Sequence, residues 1–191
     1  MSNDLKFKIS HKVTDDNSSN FTIKPLDRGY GITIGNSLRR ALLTAVPGAA
    51  ITNVKIEGAH HEFSTIDGVT EDVADVIMNL KGVRFHLFES SVEPIFLKVK
   101  GPKAFTAADI QAVSDDFTIL NPDHYITDIA KGTTLEVELR LGIGKGYKSS
   151  EENKLNNSPV GMIPIDSIFN PVTKVSFNVS PLPGAKEDTE M

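Results

Sequence analysis

The sequence predicts a globular chain of mixed helix and strand, on three observations. Residues 36–46 and 70–81 carry apolar side chains at helical spacing, while several other stretches alternate apolar and polar residues with the period of two that a half-buried strand requires. Beyond Ile51 the patterns are mostly strands, with the one further helix at 70–81. At 191 residues, 39% hydrophobic and 24% charged, the chain can bury a real core and falls between one large domain and two small ones.

Leu5, Phe7 and Ile9 alternate with Lys6, Lys8 and Ser10, and Phe21 and Ile23 resume the alternation before Pro25. Residues 5–25 therefore read as a hairpin with a long polar loop from Asp15 to Asn20. A glycine-punctuated turn, Asp27-Arg28-Gly29-Tyr30-Gly31, follows. In the helix 36–46, Leu38, Ala41, Leu42, Ala45 and Val46 share a face; Asn36 or Ser37 can cap its start, and Pro47 and Gly48 stop it. In the helix 70–81, Val73, Val76, Ile77 and Leu80 share a face. Glu71 and Asp72 in its first turn and Lys81 in its last suit the macrodipole, and Gly82 ends it.

Strands are expected at 83–88, 95–99, 117–120, 134–141, 162–165 and 172–179. The stretch 134–141 has the cleanest pattern, with Leu135, Val137, Leu139 and Leu141 opposite Glu136, Glu138 and Arg140. Thr106 and Asp109 have the spacing of a capping box for a short helical turn. The polar run 149–158 reads as a mobile loop, and residues 180–191 as a disordered tail with nothing to bury.

The composition excludes several classes of function. Without cysteine there is no disulfide framework, thiolate nucleophile or cysteine zinc site. No apolar run approaches the roughly 20 residues that span a bilayer, and the N-terminus lacks a signal-peptide layout, so no membrane association and a cytoplasmic location are expected. A net charge of −5 argues against the chain as a whole binding DNA through phosphates.

The candidate chemistry is thin. His60 and His61 are adjacent, so on an extended segment they point to opposite faces and cannot easily share an ion. Glu136 and Glu138 share a strand face, as a two-carboxylate metal site would, but Arg140 continues the row and a solvated face explains all three. Gly142-Ile143-Gly144-Lys145-Gly146-Tyr147-Lys148 suggests a phosphate cradle, yet no helix pattern follows it, which favours a flexible connection. No catalytic residue, metal or cofactor is expected in the chain. The helix 36–46 is different: Leu43 projects about 130° from the centre of the apolar stripe, between Arg39 and Arg40. A leucine flanked by two arginines suits an interface.

The run from Pro25 to Arg40, PLDRGYGITIGNSLRR, closely resembles the signature of the bacterial-type RNA polymerase α-subunit family, in which a glycine-rich turn leads into a G-N-x-L-R-R helix. His61 to Thr65, Gly68-Val69 with Glu71-Asp72, Asn79 to Gly82, Gly144 to Tyr147, Pro164 to Asp166 and Phe169 to Val172 match the family's later blocks in order and spacing. The resemblance covers about residues 5–179.

It implies an α+β dimerisation domain, here 1–52, into which a mostly β domain, 53–179, is inserted. It also implies a non-catalytic scaffold that forms a homodimer and holds the β and β′ subunits, with magnesium and nucleotidyl transfer belonging to those large subunits and DNA met only through the complex. Carried over by position, Arg40 with Leu43, beside Arg39, resembles the β-contacting face; Asp75, Lys81 and Ile165 resemble positions that hold the large subunits. In the family a returning strand and long helix, then a DNA-binding domain, follow the F-N-P-V block. The sequence from Ser180 resembles neither, so no promoter contact is carried over. The alternatives are a truncated paralogue that binds large subunits without supporting transcription, and a stand-alone metal-dependent enzyme using Glu136, Glu138 and a histidine.

Overall fold

The computed structural model describes residues 7–15, 17–88, 93–183 and 189–191. Leu5 and Lys6 of the expected first strand and residues 184–188 of the expected tail lie outside them. In chain order the elements are β1 (Lys8–Asp15), β2 (Ser18–Lys24), β3 (Leu26–Asp27), α1 (Tyr30–Thr44), β4 (Pro47–Ile56), α2 (Val73–Lys81), β5 (Phe85–Leu87), β6 (Ile95–Lys100), β7 (Lys103–Thr106), α3 (Ala107–Gln111), β8 (Phe117–Ile119), β9 (Tyr125–Ile129), β10 (Thr134–Lys145), β11 (Tyr147–Lys148), β12 (Met162–Pro164), β13 (Ser167–Ile168) and β14 (Thr189–Glu190). The mixture is α+β. Two compact units divide it: Met1–Leu43 with Lys174–Met191, and Thr44–Thr173. The divisions fall before the expected residues 52 and 179, because β4 begins at Pro47 and joins the second unit's sheet, whereas the described residues after Thr173 pack in the first.

In the first unit β1 and β2 form an antiparallel hairpin running from Lys8↔Lys24 to Asp15↔Ser18. The expected polar loop is mostly strand, since Ser18, Ser19 and Asn20 still pair. Helix α1 starts at Tyr30, well before the expected residue 36, and takes in Gly31 and Gly35. Local propensity disfavours glycine in a helix, but packing decides here. A methyl on Gly31 would lie 2.6 Å from Val179 Cγ1, and one on Gly35 would strike the Phe177 ring.

Arg39 Nε donates to Val175 O at 3.3 Å, so Val175, Phe177 and Val179 run along α1 opposite Arg39, Gly35 and Gly31. Two residues of extended chain and four of helix both advance about 6–7 Å, which is why the registers match. The alternation at 172–179 therefore faces a helix rather than a sheet, and among the described residues no strand ladder forms over that stretch. The first turn of α1 contains no acidic residue; instead Gly29 and Gly31 N–H groups donate to the two carboxylate oxygens of Glu190, at 3.0 and 3.2 Å. β14 pairs β3, and Ser180 and Met191 exchange both backbone hydrogen bonds, so the described part of the expected tail has partners.

The second unit is built on an antiparallel sheet in the order β6-β10-β4-β5-β8, with β12 on the free edge of β4. Val73, Val76, Ile77 and Leu80 of α2 join Val54 and Ile56 of β4, Leu135, Val137 and Leu139 of β10, and Ile95, Leu97 and Val99 of β6 in one core. Phe85 and Phe117 meet edge to face at 5.6 Å within it. Ile51 belongs to the same core although it lies three positions before Val54, which would put the two on opposite faces of a regular strand. A bulge resolves this: Arg140 pairs Asn53 and Leu141 pairs Ile51, leaving Thr52 as the extra residue. α3 begins with the expected Thr106–Asp109 cap, whose Asp109 carboxylate accepts the Thr106 N–H at 3.1 Å.

Two sequence readings change in this unit. β10 continues to Lys145, and its glycines Gly142 and Gly144, two apart and so on one face, seat the ring of Phe169. The run is a strand shaped for an aromatic cover, not a flexible connection. The polar run 149–158 is also anchored, as described next.

Candidate interaction site

α2 presents a charged outer face. Its start is fixed by Asp72, whose Oδ1 accepts the Asp75 N–H at 2.8 Å, so the helix begins at Val73 rather than at the expected residue 70. With Val73, Val76, Ile77 and Leu80 turned inward, Asp75 and Met78 line the opposite side and Lys81 lies on the flank. Asp75 is exposed, and Met78 is 62% exposed despite being apolar. Lys81 forms an ion pair with Asp166, from the link between β12 and β13, and its Nζ lies 3.9 Å from Met78 Sδ.

Ile165, also expected at a partner surface, is only 3% exposed and belongs to the core. Its N–H donates to Thr52 O at 2.9 Å, and the neighbouring Asp166 is the side chain that reaches outward. The Pro-Ile-Asp block thus contributes its aspartate to the surface, with isoleucine as the anchor beneath it.

A buried polar network supports that segment. Ser149 N–H and Oγ both donate to Glu152 Oε2, at 3.0 and 3.2 Å, closing a turn that leads Asn153 inward. Those hydrogen bonds, with Lys148 nearby, hold the Glu152 carboxyl below its ordinary value. Asn153 Nδ2 donates to Ile165 O at 2.8 Å and Ser167 Oγ at 2.9 Å; Ser167 Oγ donates to Ile51 O at 2.7 Å, and Asn53 Nδ2 to Asn153 O at 3.1 Å. Asn53, Asn153 and Ser167 are all buried. The spacing Ser-x-x-Glu at 149–152 was the legible signal that this run is ordered.

On α1 the geometry divides the expected residues. Arg39 is engaged with Val175, Arg40 is exposed, and Leu43 is half-buried. Leu38 and Leu42, read as core, remain 45% and 39% exposed.

Residues 54–170 match the family model described as the RNA polymerase Rpb3/RpoA insert domain. The chain belongs to that family. The matched residues fall inside the Thr44–Thr173 unit, so the insert domain is the unit that carries α2, Asp166 and the Asn153 network. Among curated proteins, the chain is 51% identical over 166 residues to the DNA-directed RNA polymerase subunit alpha of Salinibacter ruber, covering 87% of this chain and 51% of that one. It is 48% identical over 159 residues to the subunit alpha of Chloroherpeton thalassium, covering 83% and 48%. With that of Limosilactobacillus reuteri it shares 47% over 172 residues, covering 88% and 54%. The chain spans about half the length of the curated relatives it matches.

Elsewhere on the insert domain the carboxylates considered for metal chemistry have cationic partners. Lys98 Nζ lies 2.8 Å from Glu136, and Arg140 Nε and Nη2 both donate to Glu138 Oε1 at 3.1 Å. His61 Nδ1 meets Ser64 Oγ at 3.2 Å. Among the described residues no three of His, Asp and Glu gather in a way that could hold a metal ion, and no helix is long and apolar enough to cross a membrane.

Proposed function

We propose that this chain is an assembly scaffold of DNA-directed RNA polymerase, a cytoplasmic part of a nucleotidyltransferase complex that contributes no catalytic residue or cofactor of its own. The first unit meets a second copy of the chain. The α1 face around Arg40 and Leu43, with Arg39 steadied by Val175, receives the β subunit. The outer face of α2, with Asp75, Met78, Lys81 and Asp166, receives a large subunit, the dimer holding β largely on one copy and β′ on the other. Magnesium and nucleotidyl transfer reside in the large subunits, and DNA is met through them.

The observation that carries this reading is the contrast between the units. In the first, Phe7, Ile9, Val13, Phe21, Tyr30 and Ile32 are exposed, and Leu26 is the one buried large apolar side chain among the described residues there. The insert domain has a full core. So much exposed apolar surface on one small unit is the mark of a protein–protein interface.

Arg40→Ala tests the assignment of α1. Co-expressed β should be captured about 30-fold less tightly, the equivalent of about 2 kcal/mol, with the melting temperature essentially unchanged. Wild-type capture of β by the variant would remove Arg40 from the interface, and a variant that unfolds would show it to be structural.

A further inference from the structure

The 149–158 run has almost no apolar side chain with which to hold itself down, yet it is fastened to the sheet. Asn153, 4% exposed, is the fastening: its amide spans Ile165 O and Ser167 Oγ, the two residues that flank Asp166. The same short segment hangs on β4 from below through Ile165 N–H to Thr52 O and Ser167 Oγ to Ile51 O. Asp166 is therefore gripped on both sides, from two directions, while its own side chain faces out to Lys81.

We infer that Asn153 is a positioning residue for the α2 surface: by clamping Ile165 and Ser167 it fixes Asp166 against Lys81, and so sets the charge arrangement beside Met78 that a large polymerase subunit reads. This rests on the partner role proposed above for α2. Physical reasons favour it over a merely structural role. Lysine has a long, flexible stem, and a half-exposed ion pair contributes little unless one partner is already fixed. Asp166 sits on a two-residue link between short strands, so its backbone would be free to tilt without a clamp. Asn153 supplies two donors to the two positions where tilting would begin, and Asn53 holds Asn153 itself through its backbone carbonyl.

The test reads Lys81 directly. The full chain is acetylated with a limiting amine reagent and each lysine's rate is followed by mass spectrometry. Asp166→Asn should raise the Lys81 rate, and Asn153→Ala should raise it roughly fivefold toward the same level, the loss of an ordinary hydrogen-bonded clamp. Lys98 and Lys145 should not change. The double variant should react no faster than Asp166→Asn alone, and both single variants should lose capture of the large subunits to a similar extent.

Ser167→Ala, which removes the Asn153 contact and the tie to Ile51 O but keeps Asn153 on Ile165 O, should also raise the Lys81 rate and serves if Asn153→Ala does not fold. An unchanged Lys81 rate in Asn153→Ala, or in Ser167→Ala if that variant must stand in, overturns the positioning role. So does an additive rise in the double variant. If the Lys81 rates shift as stated while Asp166→Asn and Lys81→Ala capture the large subunits like wild type, the clamp stands but the functional half of the inference falls, together with the reading of the α2 surface.

Discussion

Glu71 has a role that its place in the sequence conceals. Its position suggested a charge favouring the start of a helix, but α2 begins two residues later, and the carboxylate accepts instead from Tyr125 Oη at 2.7 Å, Thr127 Oγ1, and the Asp128 N–H at 3.2 Å. It ties the entry to α2 onto β9. Burial alone would raise its pKa, but the hydrogen bonds from Thr127, Tyr125 and Asp128 outweigh burial and hold the carboxyl below its ordinary value. A carboxyl whose folded-state pKa is lowered contributes stability that is present above its unfolded-state value and lost as pH falls through the folded one. Solvent reaches this half-buried site and screens the charge, so Glu71→Gln should cost only about 1 kcal/mol at pH 7. The gap between variant and wild type should close as the pH falls below about 4.5. Thermal melts at pH 7 and pH 3.5 check this; a gap that is the same at both would show that the charge of Glu71 is immaterial. The residues at this scale that could be read in advance were those with local causes: the Thr106–Asp109 cap, and the apolar stripe Val73, Val76, Ile77 and Leu80. Ile165 could not, because its block marks a surface while its own side chain lies beneath it.

At the scale of elements, periodicity placed β10 and α2 well because each meets its partner through one face of a regular pattern. It failed where a partner distant in sequence decides. The start of α1 reads as a turn because of its glycines, and 172–179 reads as a strand because it alternates; each is explained only by the other, through Phe177 over Gly35 and Val179 over Gly31. That pairing makes a prediction contrary to helix propensity. Alanine at position 35 should favour an isolated helix by about 1 kcal/mol, yet in this protein it forces the Phe177 ring away. Gly35→Ala should accordingly speed amide exchange along α1 several-fold. In a Phe177→Ala background the same change should become neutral or stabilising. If Gly35→Ala slows exchange in both backgrounds, the glycine is not there for the ring. The bulge at Thr52 and the seat for Phe169 on Gly142 and Gly144 were hidden for the same reason, since strand alternation carries no record of what lies across the sheet.

For the whole molecule, the mixture of helix and strand was legible from periodicity, and the family, with the α+β class it implies, from ordered blocks; the unit boundaries were not. The chain leaves one unit and later returns to it, so residues 174–183 and 189–191 belong with α1 though they are far from it in sequence. The insert domain has its own core, whereas the other unit exposes apolar side chains, and the proposed scaffold role rests on that contrast. The direct measurement is the mass of the assembly formed when this chain is co-expressed with a β subunit, read by native mass spectrometry. Two copies of the chain with one β is the predicted species, lost on Arg40→Ala. A chain that stays a monomer and leaves β unbound at micromolar concentration would contradict the scaffold account.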